Sequence, residues 1–175
     1  MPRNWDEYYS KPANLHPEPA TLLVEVAEML PPGRALDLAC GDGRNALYLA
    51  KLGWQVTAVD ASEAAIRRMG PHPALDARVA DLERHEFAIQ PAAYHLICDF
   101  FYLQRDLFPQ IREGVRPGGV FTGAIHLIAP RHNPAFALHP GELREEFAGW
   151  KILYYSEAAE PGHPRPSARI IARRA

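Results

Sequence analysis

Cysteine is scarce in this chain: two residues, Cys40 and Cys98, in 175. That is too few for a disulfide scaffold. Both fall at the ends of strand-like runs, and the expectation is two reduced thiols in a cytoplasmic protein. Long apolar runs are missing as well, and none approaches the length of a membrane-spanning helix. The first twenty residues are polar and aromatic with no apolar stretch, so no signal peptide is expected. Charge of one sign is also lacking. The net charge is −2, which creates no strong field to recruit nucleic acid or an anionic membrane. No spacing of His, Cys and Asp suits a zinc site, and the expected metal content is none. There is no internal repeat and no linker, so residues 1–175 are read as one domain, a size that supports a single core.

Proline, in contrast, is plentiful, at 17 residues. It clusters between periodic segments and acts as punctuation. Residues 1–17 carry Trp5, Tyr8 and Tyr9 in a partly helical segment. Leu22, Leu23, Val26 and Leu30 share one face of a helix over 18–30, which Pro31-Pro32-Gly33 ends. Alternation then begins: strand 34–39, helix 43–52, strand 55–59, and helix 63–69 with Ser62 as its N-cap. A loop at 70–73 leads to a short strand over 77–80. A strand over 94–98, a helix over 105–114, a turn at Pro117-Gly118-Gly119 and a strand over 120–127 follow. Strand–helix alternation implies a parallel sheet with helices on both faces. Residues 128–140 read as a loop and 142–148 as a short helix. Two last runs, 152–155 and 168–172, are separated by Glu160–Pro166. That loop is too short for a crossover helix, so the last strand is expected to run antiparallel. The fold class is therefore α/β, a Rossmann-like, doubly wound sheet.

The most informative stretch is Ala35-Leu-Asp-Leu-Ala-Cys-Gly-Asp-Gly-Arg-Asn45. A strand stops at a Gly-x-Gly turn and a helix starts at once. Gly41 and Gly43 let the backbone approach a ligand closely, and the helix N-terminus presents N–H groups to it. Asp60 closes the second strand, nineteen residues after Gly41. A carboxylate there offers two oxygens to the two hydroxyls of a ribose. The pair points to a nucleoside-containing cofactor. By itself the turn also fits a dinucleotide.

Asp37-Leu-Ala-Cys-Gly41-Asp-Gly43, Asp60, Ala80-Asp81-Leu82, the strand ending at Asp99, and Arg116-Pro-Gly-Gly-Val120 together resemble the class I methyltransferases that use S-adenosylmethionine (SAM). The resemblance covers nearly the whole chain in the right order. Gly41–Ala50 followed by Gly53–Asp60, with the tail Trp150–Glu157, is most similar to the tellurite-resistance type. The resemblance implies a sheet of seven strands and SAM as cofactor. It implies cofactor contacts at Asp37, Ala39, Gly41, Asp42, Gly43, Arg44, Asp60, Ala61, Asp81, Leu82, Asp99 and Phe100, and the N-terminal aromatics Trp5 and Tyr9 are candidate contacts by their own chemistry. Within it, the turn passes under the methionine part of SAM. Asp37 beside the turn would oppose a pyrophosphate but suits an ammonium. Asp81 would read the adenine amino group and Leu82 would pack the ring face.

Residues 1–33 would form a lid and helix, with aromatic faces favouring a sulfonium. Residues 128–150 would supply a substrate-side loop and helix. His126, His132, His139 and Arg105 fall near the acceptor side by position, and no catalytic residue is assigned. The implied activity is in-line methyl transfer to a small molecule, whether a metalloid, a thiol or another small nucleophile. No nucleic-acid or membrane partner is expected, and the sequence leaves the oligomeric state open. The alternatives are an NAD-dependent oxidoreductase and a non-catalytic SAM-binding module.

Overall fold

The structure is a computed structural model that describes residues 4–12, 17–129, 133–159 and 165–175. Seven strands form one mixed sheet in the order β3-β2-β1-β4-β5-β7-β6. Residues 1–88 and 89–175 make two compact units.

The first unit holds α1 (Trp5–Tyr9), α2 (Thr21–Met29), β1 (Arg34–Leu38), α3 (Arg44–Lys51), β2 (Gln55–Asp60), α4 (Glu63–Met69) and β3 (Leu75–Val79). β1 pairs with β2, and β2 with β3, both parallel. Parallel strands covered by helices read as continuous apolar runs. β1 follows that pattern, buried at every position after Arg34. α2 buries Leu22, Leu23 and Val26, the face that its spacing predicts. α3 buries Ala46, Leu49 and Ala50, and it also buries Asn45. The Asn45 carboxamide is satisfied because its Oδ1 accepts the Ala20 N–H at 2.9 Å, tying the entry of α2 to α3. Ser62 caps α4 as expected, its side chain accepting the Ala65 N–H.

The second unit holds β4 (Tyr94–Phe100), a 3-10 turn (Arg105–Leu107) running into α5 (Phe108–Gly114), β5 (Val115–His126), α6 (Glu142–Glu146), β6 (Lys151–Ala159) and β7 (Pro166–Arg173). β4 and β5 are parallel, and β7 is antiparallel to both β5 and β6. The last strand therefore opposes the others, as the short connection required.

Pro117-Gly118-Gly119 departs from expectation, because it lies inside β5 and does not precede it. Tyr94 pairs with Val115 but Leu96 pairs with Val120, so the tripeptide bulges out of a continuous ladder. Gly118, at φ 76°, supplies the left-handed step that such a bulge needs. β4 pairs with the strand before and after the bulge, and pairing with β7 begins at Val120. β6 and β7 are likewise longer than their apolar runs, because ladder pairing carries them through polar residues. Most of the 160–166 loop lies outside the described residues.

Candidate functional site

The Gly-x-Gly turn leaves the C-terminal end of β1. Ala39 sits at φ 50° and Gly41 at φ 56°, and Gly43 opens α3 at φ 83°. Positive φ costs a non-glycine residue roughly 1 kcal/mol or more, so this path selects for glycine. Space is short too. A β-carbon on Gly41 would lie 2.3 Å from the phenol oxygen of Tyr9, and one on Gly43 would lie 2.2 Å from the Met69 sulfur. In the sequence, both glycines point to a closely approaching ligand. Their left-handed backbone favours glycine even without a ligand, whereas the tips of Tyr9 and Met69 could shift.

Asp60 ends β2 and is 9% exposed. Its Oδ2 accepts the Gly41 N–H at 2.8 Å and its Oδ1 accepts the Ser62 N–H at 2.8 Å. One carboxylate thus ties the glycine turn to the start of α4. Each oxygen keeps a further lone pair for an incoming donor. Burial pushes the Asp60 carboxyl above its usual range, against the pull of those two backbone donors. Burial pushes the Cys40 thiol up as well, with the Asp37 and Asp60 carboxylates adding to the shift. Cys40 is thereby held as a thiol and is a poor nucleophile. Asp37 is 1% exposed on β1, opposite Ala58 of β2. The turn is therefore rich in carboxylate, a setting for cationic groups and a hostile one for phosphate.

Trp5, Tyr8 and Tyr9 form one aromatic cluster on α1. Trp5 and Tyr9 stack at 6.1 Å, and Tyr8 meets both edge-on. Tyr9 lies over the turn. Burial, with Asp60 and Asp42 next, pushes its phenol above the ordinary range. So Tyr9, Gly41 and Asp60 are brought together within the first unit.

Other candidates are less engaged. Arg44 directs Nη1 to the Glu18 carbonyl at 3.4 Å. Ala61 is exposed and Asp42 half-buried. Asp81 lies in the turn after β3, where its Oδ1 accepts the Glu83 N–H at 2.9 Å, and Leu82 beside it is buried. Asp99 and Phe100 end β4 in the second unit, the first buried and the second half-buried. In that unit His126 ends β5 and lies against Phe101, ring centroids 4.8 Å apart. Its Nδ1 is 3.5 Å from the Ser167 Oγ. Phe101 is at φ 68°, a strained setting for a bulky residue.

His139 is exposed, and His132 lies outside the described residues. Arg105 is structural. It forms a bidentate pair with Glu142, at 2.5 and 3.1 Å, and donates to the Ala137 carbonyl at 3.0 Å. Among the described residues, no group of His, Cys, Asp and Glu could hold a metal ion. No helix among them is long and apolar enough to cross a membrane.

Arg105 is 39% exposed at its side chain, so its ion pair is partly screened. Arg105→Ala is expected to cost about 1 kcal/mol, from the pair and the lost bond to Ala137. Urea unfolding measures it. A loss below about 0.3 kcal/mol would show that the pair is idle.

Two further residues complete this region. Asp6 accepts from the Ser62 Oγ at 2.7 Å and from the Ala64 N–H at 3.0 Å. Met69 closes over Gly43. Neither has a local signal, since the partners of Asp6 lie more than fifty residues away.

A family model described as "Tellurite resistance protein TehB" matches residues 2–165. The chain belongs to the TehB family. Among curated relatives, "Hemagglutinin 1" of Eikenella corrodens is 32% identical, over 77% of this chain and 49% of that protein. The "Probable S-adenosyl-L-methionine-dependent methyltransferase TehB" of Haemophilus influenzae is 27% identical, over 87% of this chain and 57% of its own length. The chain thus spans about half the length of the curated relatives it matches. The crystal structure of TehB from Haemophilus influenzae shares the fold at a TM-score of 0.77. It is 23% identical, and the match covers 98% of this chain and 67% of that one. The TehB family membership agrees with the resemblance drawn from the Gly41–Ala50 and Gly53–Asp60 segments.

Proposed function

We propose that this chain is a SAM-dependent methyltransferase acting on a small molecule. The observation that carries the reading is the Asp60 carboxylate. It is buried at a strand end and held by the Gly41 and Ser62 N–H groups, with lone pairs left for a ribose. Its neighbours support SAM as that cofactor. Asp37 precedes the turn and Asp42 lies within it, so a pyrophosphate there would meet like charge, whereas SAM brings an ammonium and a sulfonium. The residues present fit that group. A nucleoside cofactor carrying positive charge would relieve the cost of holding Asp60 ionised in a buried place. TehB family membership and the Haemophilus relative's name support the same assignment.

SAM supplies, when bound, a methyl carbon made electrophilic by its sulfonium. This chain's residues bind and orient. Asp60 takes the ribose, the Gly41–Gly43 turn receives the methionine part, and Asp81 with Leu82 takes the adenine. Trp5 and Tyr9 on α1 exclude water. Asp99 and Phe100 stand at the end of β4, where open α/β sheets place ligands. The acceptor is a small nucleophile. The family's description makes tellurite the first to test, with thiols after it. A net charge of −2 supports a small acceptor over nucleic acid.

Thermal shift with S-adenosylhomocysteine and with NAD separates SAM from the nicotinamide alternative. A shift of the melting temperature with the first and none with the second is expected. The reverse pattern would overturn the cofactor assignment. Labelled methyl transfer from SAM to tellurite and a thiol panel then tests the activity. Cofactor binding with no transfer to any acceptor would favour a non-catalytic binding module.

A further inference from the structure

The first unit contains a contact that neither the glycine motif nor the ribose acid requires. α1 has five residues, far below the length at which an isolated helix holds its shape in water. Its local supports are the Asn4 cap, the Ser10 hydroxyl donating to the Asp6 carbonyl at 2.6 Å and an exposed Lys11–Glu7 pair. Its position must therefore come from tertiary contact.

That contact centres on Asp6. Its carboxylate accepts from the Ser62 hydroxyl at 2.7 Å and from the Ala64 N–H at 3.0 Å. Ser62 Oγ in turn accepts the Ala65 N–H at 3.1 Å. Asp6 thus completes the capping of α4 from fifty-six residues away, and an anion suits that helix end. These two donors hold the Asp6 carboxyl below its usual range. The same Ser62 gives its backbone N–H to Asp60. Asp6 and Asp60 are therefore one residue apart in the network.

Tyr9 follows Asp6 by three residues, one helical turn, so the two share a face of α1. Fixing Asp6 fixes Tyr9, whose phenol oxygen and Cζ lie 2.3 and 2.9 Å from where a β-carbon on Gly41 would be. Trp5 stacks on Tyr9 from the solvent side, itself 45% exposed. The Tyr9 phenol thus fills the space beside the Gly41 turn. We infer that Asp6 is a positioning residue: by capping α4 it latches α1 so that Tyr9 covers the Gly41 turn, and cofactor exchange waits on release of that latch. The inference rests on the proposed cofactor assignment for its ligand, but the latch itself does not.

Two measurements on the whole chain test it. The first needs no ligand. Hydrogen exchange of the amides in residues 5–9 and at Ala64 should be about fivefold faster in Asp6→Ala, the factor of a typical capping contact. Asp6→Asn, which keeps an acceptor oxygen, should stay near wild type. Unchanged exchange in Asp6→Ala would refute the latch. The second is stopped-flow binding of S-adenosylhomocysteine. Asp6→Ala should raise both the association and the dissociation rate constants by about fivefold, with Asp6→Asn close to wild type. A residue that merely stabilised α4 would lower affinity when lost and would not speed association. Slower or unchanged association in Asp6→Ala would overturn the gating role. A wild-type protein that binds no S-adenosylhomocysteine, yet shows the exchange effect, would overturn the cofactor assignment and leave the latch standing.

Discussion

Asp60→Ala is expected to weaken S-adenosylhomocysteine binding by a hundredfold or more, on the order of 3 kcal/mol, while the chain stays folded. Two losses combine. The ribose loses both of its charged acceptors, each worth roughly 1.5–3 kcal/mol. The turn also loses its tie, because the Gly41 and Ser62 N–H groups, each bonded to Asp60 at 2.8 Å, are left without their acceptor. The effect on stability is smaller, about 1–2 kcal/mol. Part of it is offset because burial already opposes the charged form of Asp60.

Asn does not rescue this site. An amide presents one acceptor oxygen and one donor NH2, so one of the two backbone donors would face another donor. Calorimetry on both variants, with circular dichroism as the folding control, checks this. Affinity within threefold of wild type in Asp60→Ala would remove Asp60 from the site.

The largest effect on stability is expected at Phe147. Its side chain is fully buried just past the end of α6. It stacks on Phe121 of β5 at 4.4 Å and 14°, and meets Phe108 of α5 edge-on at 6.2 Å. Trp150 packs against it at 5.2 Å. Truncation leaves a cavity that three rigid rings cannot fill, so Phe147→Ala should cost about 3–5 kcal/mol. That is a large share of a typical domain's stability, roughly 5–15 kcal/mol. A fall in melting temperature of about 8–15 °C should accompany it. The consequence is also local. α6 carries Glu142 and Glu146, which pair with Arg105 and Arg112, so these pairs depend on the ring that seats the helix. Urea unfolding measures the cost. A value under about 1 kcal/mol would mean that the aromatic cluster repacks.

Much of this was readable from spacing. The strand–turn–helix at 35–45, the Ser62 cap and the reversed last strand are all local signals, set by backbone sterics or by loop length. The Gly41-to-Asp60 spacing was legible for the same reason: one βαβ unit has a narrow range of lengths. Pro117-Gly118-Gly119 reads as a turn because turn chemistry in one strand cannot reveal that β4 pairs on both sides of it, at Val115 and at Val120. The role of Arg105, expected on the acceptor side, and that of Asp6 carry no local signal for a related reason. Their roles are set by Glu142 in one case and by Ser62 and Ala64 in the other, and nothing near either residue names its partner.

The Gly-x-Gly turn shows where that boundary falls. Local patterning alone dictated a tight strand-to-helix turn at Gly41 and Gly43 and an acid at the next strand end, because backbone preferences and strand periodicity act over a few residues. Packing decided that Tyr9 covers the turn, that Met69 closes on Gly43, and that Asp6 completes the α4 cap. Those contacts join segments separated by tens of residues. They form only once the helices and the sheet have brought them together.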